Sequence, residues 1–422
     1  MQKREIQVEE KLPILQTLPL SLQHLFAMFG ATVLVPFIFE VDPATILLMN
    51  GIGTLLYIII TKGGIPSYLG SSFAFISPVL VVLGSKSYEA ALGGFIAVGL
   101  VFTLVAFIVR VVGTKWIDVV FPPAAMGAIV AVIGLELAPV AAEMAGLVLP
   151  ANAPADAVRD PQVIMVSMAT LLITVFGSVV FRGFLAIIPI LIGILSGYAL
   201  SFAMGMVKTA PIAEAAWFKL PTFYTPQFDW GAIAIILPAA LVVIAEHVGH
   251  LFVVSNIVGR DLAKKPGLDR SLLGNGLSTL LSGFVGSTPN TTYGENIGVM
   301  AITKVYSVWV IGGAAVIAIV LSFIGKLAAA IMSIPTAVMG GVSLLLFGVI
   351  AASGIRMLVE ANVNYNNAKN LILTSVVLVV GISGAEVTMG AVSLSGMGLA
   401  TVMAILLSLA FKLLDTVGLS NE

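Results

Sequence analysis

The sequence predicts an all-α polytopic membrane protein with fourteen transmembrane segments in a seven-plus-seven inverted repeat and short extended stretches in segments three and ten. Three observations predict it: an extreme composition, fourteen apolar runs, and motifs that recur between the two halves. Of 422 residues, 59% are hydrophobic and 10% charged, and the mean hydropathy is +1.11, whereas a soluble domain carries about 25% charged residues. Side chains this apolar belong in lipid and in the protein's own interior, which excludes a water-soluble enzyme, a disordered chain and a coiled coil. A net charge of −1 offers no basic surface to nucleic acid. The absence of cysteine excludes disulfides, thiolate metal sites and cysteine nucleophiles.

A helix that crosses a bilayer needs about 20 mainly apolar residues. The first such run, 19–39, follows the charged stretch MQKREIQVEEK with no small-residue cleavage site, so it reads as a retained span. Further runs lie at 43–61, 66–83, 89–110, 117–138, 161–181 and 183–206. A polar, aromatic stretch at 207–229 closes the first seven. The second seven run at 230–255, 268–285, 287–303, 305–325, 329–355, 367–385 and 390–414. An even number of spans puts both termini on one side. With a cytoplasmic N-terminus, 15 of the 20 lysines and arginines, from Lys3 and Arg4 to Lys412, fall in cytoplasmic segments. The positive-inside rule therefore places both ends in the cytoplasm.

Segment five contains Pro122-Pro-Ala124-Ala-Met126-Gly127 and segment twelve Pro335-Thr-Ala337-Val-Met339-Gly340, four identities at an offset of 213 residues. Gly70-Ser71-Ser72 in segment three is echoed by Gly286-Ser287-Thr288 in segment ten. Seven is odd, so two seven-span repeats sit in the membrane with opposite orientation, the plan of secondary transporters. Segments three (PSYLGSSFAFISP) and ten (GSTPNTTYGEN) are also the poorest helices. Irregular backbone at membrane depth is tolerated only inside protein or along a cavity. Each segment is expected to hold a short extended stretch and then a half-helix, whose N-terminal amides offer donors and partial positive charge.

Few ionisable residues fall well inside spans: His24, Glu246, His247, His250 and Glu295. Each is costly there and is a functional candidate by default. Glu246 and His250 share a helix face, being four apart, while His247 points about 100° away and reads better as a packing residue. Glu295 opens a half-helix, where capping competes with function, and His24 divides between packing and function. The order Glu246-His247-Val-Gly-His250 does not match the H-E-x-x-H spacing of a zinc site. There is no G-x-S-x-G nucleophile motif and no phosphate loop, so no catalytic site is expected.

The run Glu295-Asn296-Ile-Gly298-Val-Met-Ala-Ile-Thr303-Lys304 resembles the signature of the nucleobase–ascorbate transporters, also called nucleobase–cation symporters. That signature is Gln, Glu or Pro, then Asn-x-Gly, four residues, Thr, and Arg, Lys or Gly. Gln23-His24 resembles the family's Gln-His pair in the first span, and the likeness extends over essentially the whole chain. Glu at the first signature position fits the uracil branch better than the Gln common among purine carriers. The resemblance implies a core domain from spans 1–4 and 8–11 (residues 1–115 and 230–327) and a gate domain from spans 5–7 and 12–14 (116–229 and 328–422). It implies a homodimer in the bacterial cytoplasmic membrane and an elevator-like movement of core against gate.

By motif position, the expected substrate residues are Phe73, Glu246, Tyr293, Gly294 and Glu295, with Gln23, His24 and Asn296 in support. The expected activity is import of uracil in symport with protons, without a metal or another cofactor. Glu246 with His250 is expected to carry the proton. Glu295, placed at a helix N-terminus that favours its ionised form, is expected to act chiefly as a substrate ligand. Two other readings are a purine, xanthine or other nucleobase carrier of the same family, and an anion exchanger or channel on a related fold. The second calls for a mid-membrane cation near segments three and ten, and the sequence supplies none there.

Overall fold

The computed structural model describes residues 5–150, 153–154, 156–389 and 392–420, with side chains at all of these but 389, 392 and 393. Lys3 and Arg4, counted above on the cytoplasmic side, and the first two residues of the run expected at 390–414 lie outside the described residues.

Every expected segment contains helix. Segment one is a bent pair, Ile14–Ala27 and Phe29–Phe39, turned by 41° where Met28 leaves helical dihedrals (φ −93°, ψ 1°). Segments two and four are Pro43–Ile60 and Tyr88–Val112, each started by a side-chain cap, Asp42 and Ser87. Segment five is Pro123–Glu136 continued by Ala138–Met144; segments six and seven are Pro161–Val180 and Pro189–Ala203. Segment eight is Trp230–Ile236 continued by Ala239–Val258, and segment nine is Leu268–Val285. Segments eleven to fourteen are Val308–Ser322, Thr336–Glu360, Ala368–Ile382 and Gly396–Val417.

By length and composition alone, seven of the described helices suit a membrane span, eight with the bent pair. The shortfall against fourteen has a physical reason. Segments three and ten are part strand, and extended backbone covers about 3.3 Å per residue against about 1.5 Å in helix. Segment nine has the length, but Asp269, Arg270, Asn275 and its serines lower its hydropathy. A second difference lies before segment fourteen. Residues expected to begin that span form an antiparallel hairpin with their predecessors, Glu386–Met389 against Val392–Ser395.

Segment three consists of strand β1 (Leu69–Ser71), a 3-10 turn (Phe73–Phe75) and helix Ile76–Leu83. Segment ten consists of strand β2 (Asn290–Thr292) and helix Gly294–Thr303. The two strands pair antiparallel, with Leu69 opposite Thr292, Gly70 opposite Thr291 and Ser71 opposite Asn290. Ser72 N–H donates to Pro289 O at 2.9 Å and Tyr293 N–H to Tyr68 O at 3.0 Å, so the ladder continues past the strands. Both strands are wholly buried. Each therefore satisfies backbone groups that lipid could not.

Packing falls into two sets. Segment four lies along nine, two packs on nine and eleven, and one packs on eleven. Separately, five packs on twelve and thirteen, six on seven and twelve, and thirteen on fourteen. Segment eight touches both sets, meeting five and fourteen on one side and four, nine and ten on the other.

Candidate functional site

The paired strands put the starts of two half-helices side by side, and segment eight passes next to them. Tyr293 is the N-cap of the segment-ten helix, in extended conformation (φ −88°, ψ 125°), and Gly294, Glu295 and Asn296 form its first turn. Amides in a first turn have no intrahelical acceptor, so they face outward as donors. Phe73 begins the corresponding turn of segment three. Its ring meets Phe347 of segment twelve edge-on, centroids 5.9 Å apart.

Strand β2 connects this region to segment eight. Thr291 Oγ1 donates to Glu246 Oε2 at 3.3 Å, and His250 Nδ1 lies 3.0 Å from Thr292 Oγ1. The other ring nitrogen of His250 faces Gly294. Direct pairing of His250 with Glu246 was expected; among the described residues no hydrogen bond joins them, and two neighbouring threonines of β2 take them separately. Sequence reasoning missed both threonines, because β-branched residues in an extended stretch read as strand propensity alone. Phe347 was missed as well, lying in a span otherwise read for its repeat.

His247 turns away, with Nε2 at 2.7 Å from Ser271 Oγ, which in turn bonds Tyr57 Oη at 2.6 Å. It is the packing histidine that its position on the helix suggested. His24 and Asn296 are brought together: the Asn296 amide lies 3.1 Å from His24 Nδ1 and donates to His24 O at 3.3 Å. Segment one thus braces the first turn of the segment-ten helix. Gln23 Oε1 is buried and takes no hydrogen bond among the described residues.

Gly70 sits directly under Tyr293. A Cβ at this position would overlap the tyrosine ring, which packs against the strand with only 3% of its surface exposed. Gly70→Ala is expected to displace Tyr293 and lower transport at least about tenfold with little loss of stability, a tenfold change being about 1.4 kcal/mol. Uptake and thermal unfolding measured side by side check this; unchanged uptake would remove Tyr293 from the site.

Two cavities flank the region along segment eight. One, of about 210 Å³, reaches Ile235, Pro238 and Ala239 near the start of the segment; the other, of about 290 Å³, reaches Gly249, Phe252, Val253 and Asn256 beyond His250. At the start of segment eight, Asp229 caps the helix by accepting from Ala232 N–H at 2.8 Å and pairs with Lys86 at 2.6 Å. Lys86 holds the Asp229 carboxyl below the usual carboxylate range. The set of groups at the site is therefore two carboxylates, free helix-start amides and aromatic walls. It suits a flat polar ring with donors and acceptors around its rim.

The comparisons with known proteins agree with this chemistry. The model of a permease family matches residues 15–390. A uracil permease of Paenibacillus larvae is 67% identical over 422 residues, all of both chains. One of Escherichia coli K12 is 69% identical, covering 98% of this chain and 96% of its own, and one of Bacillus subtilis is 49% identical, covering 92% and 91%. Solved structures with the same fold include the transmembrane domain of a cyanobacterium bicarbonate transporter, with TM-score 0.63 and 14% identity over 96% of this chain and 99% of that one. The murine Solute Carrier 26 family member A9 anion transporter, in the inward-facing state, gives TM-score 0.72 and 10% identity over 97% of this chain and 70% of its own. At such identities these two speak for the fold alone. The chain is a multi-pass membrane permease, not an enzyme, and it belongs to the family that its segment-ten motif resembles, the nucleobase–ascorbate transporters.

Proposed function

We propose that the chain imports uracil across the bacterial cytoplasmic membrane in symport with protons. The observation that carries this reading is the convergence of Glu246 and Glu295 with the helix-start amides of segments three and ten. Uracil presents two ring N–H donors and two carbonyl acceptors around a flat face. Two carboxylates accept the N–H groups, the amides near Phe73 and Gly294 donate to the carbonyls, and Phe73 covers the ring. A site that bonds every edge rejects analogues that lack one, because its own buried groups are then left unpaired. The names of relatives at 67% and 69% identity support the same substrate.

Proton coupling uses the same side chains. A carboxylate carried from water into protein loses stabilisation of its charged form, so it loads a proton at the outer face and releases it at the inner one. Glu246 with His250 serves this role, and Glu295 is chiefly a ligand. The two packing sets described above support a core of spans 1–4 and 8–11 and a gate of spans 5–7 and 12–14, related by an inverted repeat. The core slides against the gate as an elevator, the gate forms the homodimer contact, and both termini face the cytoplasm.

Uptake of labelled uracil into proteoliposomes tests the reading. Accumulation is expected with the outside acidic, to collapse with a protonophore, and to be competed by uracil but not by adenine, xanthine or bicarbonate. Uptake indifferent to the pH gradient would overturn symport, and competition by xanthine would favour the purine reading.

A further inference from the structure

We propose that Glu136 is a latch that holds the outer face shut, a positioning residue that sets which side of the membrane the transport site faces. The proposal rests on the two-body reading above. Glu136 ends the first helix of segment five. Its Oε2 accepts a 2.7 Å hydrogen bond from the backbone N–H of Met397, in the first turn of the segment-fourteen helix. An acceptor at that position satisfies one of the helix-start amides and complements the helix dipole, so on this side the carboxylate ties two segments of the gate to each other.

The same carboxylate borders the 210 Å³ cavity, whose opposite wall is Ser77 and Pro78 of segment three and Pro238 and Ala239 of segment eight. Those four residues belong to the core. Ser77 supplies the side-chain hydroxyl that bonds Glu136 across the cavity. Phe73 lies one turn before Ser77 and opens the half-helix stretch that forms the candidate site. The tie across the seam therefore bears on the element that carries the site's aromatic wall.

Its two sides differ in the way a reversible closure requires. The bond to Met397 stays within one body whichever way the core moves. The bond to Ser77 crosses between bodies and is replaced by water once they part. A half-buried carboxylate among Val81, Ile235 and Leu394 is costly unless hydrogen-bonded, so the closed seam is favoured as long as Ser77 is in reach.

The chain contains no cysteine, which makes single introduced thiols direct reporters. Ala239→Cys lines the outer cavity and Val253→Cys the inner one, both on segment eight. Each full-length variant is placed in proteoliposomes of known orientation and labelled with a membrane-impermeant maleimide from each side. Ser77→Ala removes the cross-seam bond and spares the Met397 cap. It is expected to raise labelling at Ala239→Cys about tenfold, a shift of about 1.4 kcal/mol, without raising it at Val253→Cys. Glu136→Ala should act in the same direction, and the double variant no further than the larger single one. Equal rises at both thiols would indicate loosened packing and overturn the latch, as would an unchanged rate with Ser77→Ala. In the parent single-cysteine proteins, uracil should move the two rates in opposite directions. If it moves neither, the two-body reading fails, and that failure is separate from one confined to Ser77 and Glu136.

Discussion

Glu246→Gln is expected to cut uracil uptake at least about 100-fold while leaving the protein folded. The carboxylate accepts from Thr291 and, in the proposed complex, from a ring N–H. Losing one charge-assisted hydrogen bond costs about 1.5–3 kcal/mol, and an amide N–H turned toward a ring N–H leaves two donors unpaired in addition. About 2.7 kcal/mol is already 100-fold. Thr291 can still donate to the amide oxygen, so the fold is spared and a normal melting curve is expected. Glu295→Gln should also abolish uptake, yet the two variants should part in their pH response. With the coupled proton on Glu246, residual uracil binding in Glu295→Gln keeps its dependence on pH and in Glu246→Gln loses it. The reverse pattern would exchange the two roles, and wild-type uptake in either variant would remove that residue from the site.

Gly354→Val is expected to have the largest effect on stability. A Cβ on Gly354 of segment twelve would overlap the backbone nitrogen of Ala131 in segment five, and one on Gly134 would overlap the carbonyl oxygen of Phe347. The two helices therefore touch backbone to backbone in both directions, the close approach that small residues permit in membranes. Backbone cannot swing aside as a side chain can, so the helices must separate. Overpacking costs typically about 1–3 kcal/mol and more where nothing yields; here roughly 3 kcal/mol or more is expected, lowering the melting temperature by roughly 5 °C or more. Gly348→Val supplies the control, because a Cβ there meets nothing within 4 Å. Equal melting temperatures for the two variants would contradict the backbone contact.

Much of the fold was legible because membranes impose simple rules. Apolar runs located all fourteen segments. Gly, Ser, Pro, Thr and Asn at membrane depth marked segments three and ten as broken, since such residues suit helix interiors poorly and require partners inside protein. What stayed hidden depends on contacts between distant segments. The partners of Glu246 and His250 are two threonines of β2, and nothing in segment eight indicates them. Ser271 of segment nine decides that His247 faces packing. Glu136 looked like an ordinary span end until Met397 was brought to it from the last segment. The hairpin at 386–395 was absorbed into a span because its alternating apolar residues differ little from the edge of an apolar run.

The pairing of β1 with β2 also governs how the protein can be made. Leu69 meets Thr292, so the ribosome must synthesise more than half of the chain after segment three before its partner emerges. At about 5–20 residues per second, that interval is on the order of ten to forty seconds. Throughout it, the amides and carbonyls of β1 have no strand to bond, and hydrocarbon cannot supply one. Segment three must therefore wait at a watery or protein-lined place beside the insertion machinery and enter its final depth late. A truncated chain ending before residue 290 should leave that segment open to proteolysis, whereas a second fragment carrying segments eight to fourteen, supplied separately, should protect it.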